Sequence, residues 1–174
     1  KHSIATALCA RILAPKLGLE ESGDAFSCGI LHDIGKIVLD QYSHKEYIEV
    51  YNQLQPGFSS LELILAEENI IGISHAEIGY KVAERWNLPA RLSESIRCHH
   101  TPMDSLFHSK LVSVIYLANI FSNIITKNNM ILTSKTFDKN VLDFLEIDEE
   151  LLYNLLELCR EEVSKGGGLD SFFE

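Results

Sequence analysis

The chain has 174 residues, with Lys+Arg 15 against Asp+Glu 25, a net charge of −10, and 46% hydrophobic residues. That length fits one domain, or one domain with a tail, able to bury a real core. The acidic balance argues against a general nucleic-acid binder, which needs a basic footprint, but leaves room for a small phosphorylated ligand in a local pocket.

The four cysteines (Cys9, Cys28, Cys98, Cys159) form no C-x-x-C pair and lie in helical segments. They read as small core residues of a reduced, cytoplasmic protein. There is no signal-peptide pattern, and no apolar run reads as long enough to span a bilayer. The chain starts at Lys1 and runs straight into helical pattern without a cap signal. This creates the expectation of a fragment cut from something longer.

In chain order, residues 2–14 carry one apolar stripe (Ile4, Ala7, Leu8, Ile12), a first helix that Pro15 should kink or end. Ser22 or Asp24 can cap a second helix, running to about Asp40 through Ile30, Leu31, Ile34, Ile37 and Val38. A short amphipathic helix over 44–54 precedes a Pro56-Gly57 turn. Ser59-x-x-Glu62 is a capping box opening a helix with Leu61, Ile64 and Leu65 inside, stopped by Gly72. A second box, Ser74-x-x-Glu77, starts a helix over 75–87 whose apolar face is Ile78, Val82 and Trp86. After the Asn87-Leu88-Pro89 turn, a helix over 90–99 ends in Cys98-His99-His100. Residues 106–125 form a core helix; its serines, Asn119 and Asn123 argue against a membrane span. A polar loop with Lys127, Asn128 and Asn129 follows. A short helix around Phe137–Leu145 comes next, then a last helix capped by Asp148, then a tail released by Gly166-Gly167-Gly168. No repeat and no convincing strand is found.

His32-Asp33 sits inside the apolar run of the second helix. A buried carboxylate is costly unless paired. One partner is a nearby Lys or His; another is a metal ion, for which imidazole plus carboxylate suits Zn, Fe, Mn or Ni better than Ca. His2, His32, His75, His99 and His100 fall at helix ends or on apolar faces, whereas His44 and His108 read as surface residues. Each of the five alone could be a satisfied core or cap histidine. Together with Asp33 they have the composition of a divalent transition-metal site. Lys36 follows Asp33 by three residues on one helix face. By itself it reads as a solvated or salt-bridged lysine.

A His, a His-Asp pair about thirty residues on, further His and a closing residue on a later helix is the order of the HD superfamily of metal-dependent phosphohydrolases. The phrases GILHDIGKIVL, SHAEIGYKVAERWNLPARLSESIRCHH and VIYLAN resemble its HDOD branch, the HD-related output domain of bacterial signalling proteins. The likeness covers about residues 1–125, leaving 126–174 as a C-terminal helical extension and tail packing on that core. It implies an all-α, HD-domain-like helical bundle, with a further helical half upstream of Lys1. It also implies one metal served by His2, His32 and Asp33 and a neighbour served by His75, His99 and His100, with Asp33 bridging and Asn119 in the closing position. In the phosphodiesterases of this superfamily the lysine matching Lys36 faces the substrate phosphate.

Two departures stand out. The closing ligand, an Asp in active HD enzymes, is Asn119 here, a weaker neutral donor. His100 is followed by Thr101-Pro102-Met103-Asp104, so the Gly-Tyr-Pro segment of cyclic-di-GMP phosphodiesterases is missing. Three functions follow as expectations. The first is a signalling output or interaction module with a degenerate metal site, working with other signalling proteins or modules. The second is a phosphohydrolase or phosphodiesterase acting on a nucleotide or cyclic dinucleotide through Asp33 and Lys36. The third is a purely structural metal site.

Overall fold

The computed structural model describes residues 1–20, 22–127 and 136–165. The expected Asn128-Asn129 loop and the glycine-released tail lie outside them. The described residues form helices and turns, with no strand. The helices are α1 (His2–Lys16), α2 (Ser22–Leu31), α3 (Ile34–Tyr42), α4 (His44–Gln53) and α5 (Ser60–Ile70). They continue with α6 (His75–Arg85), α7 (Ala90–Cys98), α8 (Ser109–Lys127), α9 (Lys139–Phe144) and α10 (Glu149–Lys165), with a 3-10 turn at Pro102–Asp104.

Local chemistry explains the helix starts. The Ser59 hydroxyl accepts from Glu62 N while the Glu62 carboxylate accepts from Ser59 N, which closes the capping box. Ser74 also caps its helix, accepting from Glu77 N, but Glu77 turns its carboxylate to Arg97 and Lys81 instead. Asp138 and Asp148 cap α9 and α10 through Asn140 N and Leu151 N. Pro15 is tolerated inside α1, which ends one residue later.

One core joins α1, α2, α7 and α8 to α9 and α10. Leu13, Ile115, Leu117, Phe121, Leu155 and Leu156 are its largest fully buried side chains. Each contributes about 1.5–3 kcal/mol of burial. All four cysteines are buried and free. Burial pushes the Cys28 thiol up to about 11, so it packs rather than reacts. Residues Ser109–Thr126 of α8 are long and apolar enough to cross a membrane, contrary to the sequence reading, but 61% of that stretch is buried inside the protein.

The second helix does not run through to Asp40 as the periodicity predicts. It breaks at His32-Asp33 into α2 and α3, and Asp33 sits at the N-cap of α3. The cause is a tertiary contact. A Cβ on Gly35 would lie 1.8 Å from the His75 carbonyl oxygen and 2.9 Å from Gly79 N, so α3 and α6 touch backbone to backbone. Gly29 likewise lies against Ala7, where a Cβ would meet the Ala7 Cα at 2.6 Å, drawing α2 onto α1. These two close approaches deliver His2, His32-Asp33 and His75 to one place.

His32 and Asp33 are buried as expected, but the flanking apolar residues are less so. His32, Asp33 and Gly35 are buried, whereas Ile30, Leu31, Ile34 and Val38 are half-buried and Ile37 is 64% exposed. Leu61 (61% exposed), Leu65 (49%) and Trp86 (61%) also face outward against expectation. In α5 the buried face runs through Leu63 and Glu67. Trp86 lies past the end of α6, at its C-cap.

Candidate metal centre

The five histidines and the aspartate singled out in the sequence converge. The Asp33 carboxylate is the hub. Its Oδ2 lies 2.8 Å from Lys36 Nζ, 3.3 Å from His32 Nε2 and 3.5 Å from His2 Nε2. Its Oδ1 lies 3.5 Å from both His75 Nε2 and His99 Nε2. His100 joins through His75, with their Nε2 atoms 3.0 Å apart. One ligand atom each from Asp33, His75, His99 and His100 falls within 4.8 Å of the others, and the same holds for His2, His32 and Asp33. The expected His75–Asp33 proximity is therefore observed. His44 stays outside on the surface, paired with Asp40, and His108 is half-buried beside Glu94, which accepts from its backbone N–H.

The far side of each ring fixes its orientation. His32 Nδ1 lies 2.8 Å from the Gly29 carbonyl and His99 Nδ1 lies 2.8 Å from the Ile96 carbonyl. A carbonyl oxygen can only accept, so Nδ1 donates in both rings and Nε2 points at Asp33. His75 Nδ1 lies 2.6 Å from Glu67 Oε2, which also accepts from His75 N at 2.8 Å. His2 Nδ1 lies 3.2 Å from Ser122 Oγ, itself 2.8 Å from Thr6 Oγ1. Such outer hydrogen bonds are what hold metal-binding imidazoles in place.

Glu67 is the residue that sequence reasoning missed. It is completely buried, and its neighbour Glu68 gave no reason to prefer it. The available signal was its position four residues after Leu63, on the same helix face.

Charge favours a cation here. Burial opposes ionisation of Asp33, yet the neighbouring His32 imidazole and the Lys36 ammonium hold its carboxyl well below the usual range. Burial pushes His99 down to about 3. Burial, then neighbouring His99 and His75, pushes His100 well below the usual imidazole value. Neutral rings are the ligand form. Two buried atoms in the centre, Asp33 Oδ1 and His99 Nε2, have no hydrogen-bond partner. An imidazole lone pair facing a carboxylate oxygen at 3.5 Å is unfavourable unless a positive charge lies between them. The donor set is nitrogen-rich with one carboxylate, which fits a transition-metal ion. The cluster could therefore hold one.

A cavity of about 720 Å³ opens onto the cluster. His2, Asp33, Lys36, His100 and Asn119 line its floor, and Ile37, Phe58, Leu61, Tyr116 and Ile120 contribute apolar wall. Asn119 is 5% exposed. Its side-chain oxygen accepts from Asn123 Nδ2 at 3.2 Å.

An uncharacterized protein of Treponema pallidum (strain Nichols) is 31% identical over 98 residues, which is 56% of this chain and 19% of that protein. A crystal structure from Marinobacter aquaeolei VT8, provisionally named a signal transduction protein, superposes with a TM-score of 0.76 at 23% identity. It covers 98% of this chain and 38% of that one. Another, from Shewanella amazonensis SB2B and provisionally named a phosphohydrolase, gives a TM-score of 0.70 at 23% identity, over 92% of this chain and 57% of that one. The chain thus spans about a fifth of the Treponema relative and little more than half of the Shewanella protein. The HDOD domain pattern matches residues 1–102, the stretch that supplies His2, His32, Asp33, His75, His99 and His100, and the chain belongs to the HDOD domain family.

Proposed function

We propose that this domain is a bacterial signal-transduction output or interaction module, cytoplasmic, that keeps an HD-type metal cluster without efficient hydrolysis. The observation that carries the reading is Asn119. It lines the cavity floor with Asp33, offers a neutral amide where active relatives have a carboxylate, and has its oxygen engaged by Asn123. The site therefore has one negative charge fewer to balance a divalent ion. The provisional signalling name of the Marinobacter protein supports the same direction.

The ion is Fe, Mn, Zn or Ni, one or two per domain, held by His2, His32, Asp33, His75, His99 and His100, with Asn119 at the margin. When bound, it supplies Lewis acidity for a phosphoryl oxygen. The chain's own groups orient the site: Gly29 O, Ile96 O and Glu67 aim the rings, Lys36 offers a cation to an anionic ligand in the cavity, and Ile37 and Phe58 add apolar lining. Partners are other signalling proteins or modules. The net charge of −10 disfavours nucleic acid.

A second reading, a phosphohydrolase or phosphodiesterase acting on a nucleotide or cyclic dinucleotide, is favoured by Lys36. Its Nζ sits 2.8 Å from Asp33 Oδ2 while the residue lines the cavity. The test is purified protein with excess Mn²⁺ or Fe²⁺ and cyclic-di-GMP. Absent or very slow cleavage is expected; robust turnover would reject the module and promote the enzyme.

A further inference from the structure

The two halves of the cluster are unequal. On the Oδ2 side of Asp33 a cation is already seated, the Lys36 ammonium at 2.8 Å. Asn119 lines the same cavity as Asp33, and His2 Nδ1 lies 3.2 Å from the Ser122 hydroxyl. On the Oδ1 side no Lys or Arg among the described residues pairs with Asp33, and both orphaned atoms, Asp33 Oδ1 and His99 Nε2, lie there.

Behind that side stands a second buried carboxylate. Glu67 grips His75 through both its ring and its backbone N–H. It too pairs with no Lys or Arg among the described residues, and its Oε1 is buried without a partner. A fully buried charge of this kind is costly unless a positive charge answers it. His75 relays such a charge: an ion on Nε2 strengthens the Nδ1–H bond to Glu67, and Glu67 makes Nε2 the better donor.

We infer that a first transition-metal ion is taken up between Asp33 Oδ1, His75, His99 and His100, with Glu67 as the positioning carboxylate for that ion, and that the His2–His32 half fills second and more weakly. This rests on the metal-site reading above, but not on whether the site hydrolyses anything. It assigns Glu67 a positioning role in a cluster to which Asn119 adds no carboxylate.

The experiment is titration of the metal-free protein with Zn²⁺ against a chromophoric chelator, repeated with Co²⁺ to follow the visible bands of nitrogen-bound cobalt. Wild type is compared with Glu67→Gln, His100→Ala and His2→Ala. Glu67→Gln and His100→Ala should weaken the first binding step by about 10–100-fold, the range for lost supporting or ligand contacts. His2→Ala should leave that step close to wild type and weaken the second. A chain that takes up no ion, Glu67→Gln titrating like wild type, or His2→Ala weakening the first step as much as His100→Ala would each overturn the inference. Should Glu67→Gln fail to fold, the ordering of His2→Ala and His100→Ala decides. Ordered uptake together with fast cyclic-di-GMP cleavage would refute the module reading and leave this inference standing.

Discussion

Replacing Gly35 by alanine tests how the fold builds the site. The added Cβ would sit 1.8 Å from the His75 carbonyl oxygen, 2.8 Å from its carbon and 2.9 Å from Gly79 N. All three are backbone atoms of α6, so no side chain can swing away; the helices must part. Overpacking costs about 1–3 kcal/mol where neighbours can adjust, and here they cannot, so the upper end applies. Alanine recovers about 1 kcal/mol of helix propensity over glycine. A net loss of about 2 kcal/mol remains, or a fall in Tm of about 4–8 °C for a domain of this size. Parting α3 from α6 also draws Asp33, two residues before Gly35, away from His75, so metal affinity should fall alongside. Denaturant melting and Zn²⁺ competition on the same preparation would check both. A variant that melts and titrates like wild type would refute the backbone contact and the claim that it delivers His75 to Asp33.

Three further outcomes are expected. Asn119→Asp should raise metal affinity by about 10–100-fold and lower the metal-free melting point, because a second carboxylate joins Asp33 in the cavity; no change in either would mean Asn119 faces away from the metal. Metal-free stability should fall as the pH drops. His99 lies near 3 when folded against an ordinary value of 6.5, so between those limits the unfolded chain holds a proton that the folded one does not. The slope is about 1.4 kcal/mol per pH unit for one such group; His100 and Asp33 act in the same direction, and stability that is flat or rising toward pH 4 in urea melts would contradict this. Leu155→Ala, at a residue 1% exposed in α10, should cost about 2–5 kcal/mol in a single unfolding transition; a separate early transition would show that α10 is not part of one cooperative core with α1 and α8.

The helices themselves were legible where their signals are local. Ser59, Ser74 and Asp148 cap helices through side-chain bonds written into a few consecutive residues. The metal-competent set was legible because imidazoles at helix ends serve few other purposes in such number. What stayed hidden depends on contacts across the chain. The α2–α3 break leaves no mark in an apolar period that runs on through Val38; it is imposed by Gly35 meeting His75, forty residues away. The outward turn of Leu61 and Leu65 follows from α5 burying Glu67, which earns its place only through a histidine eight residues on. Propensity and periodicity are blind to a carboxylate buried for the sake of a distant ring.

The most direct measurement is an ion count and a turnover rate on one sample. The purified protein, loaded with Mn²⁺ or Fe²⁺ and freed of excess, is analysed for bound metal and then given cyclic-di-GMP, with Asp33→Ala as the reference. Wild type should retain metal that Asp33→Ala does not, while product forms no faster than with the reference. Turnover in the ordinary enzyme range of about 1–10³ s⁻¹, or equal metal content in the two proteins, would contradict a metal-competent signalling domain centred on Asp33.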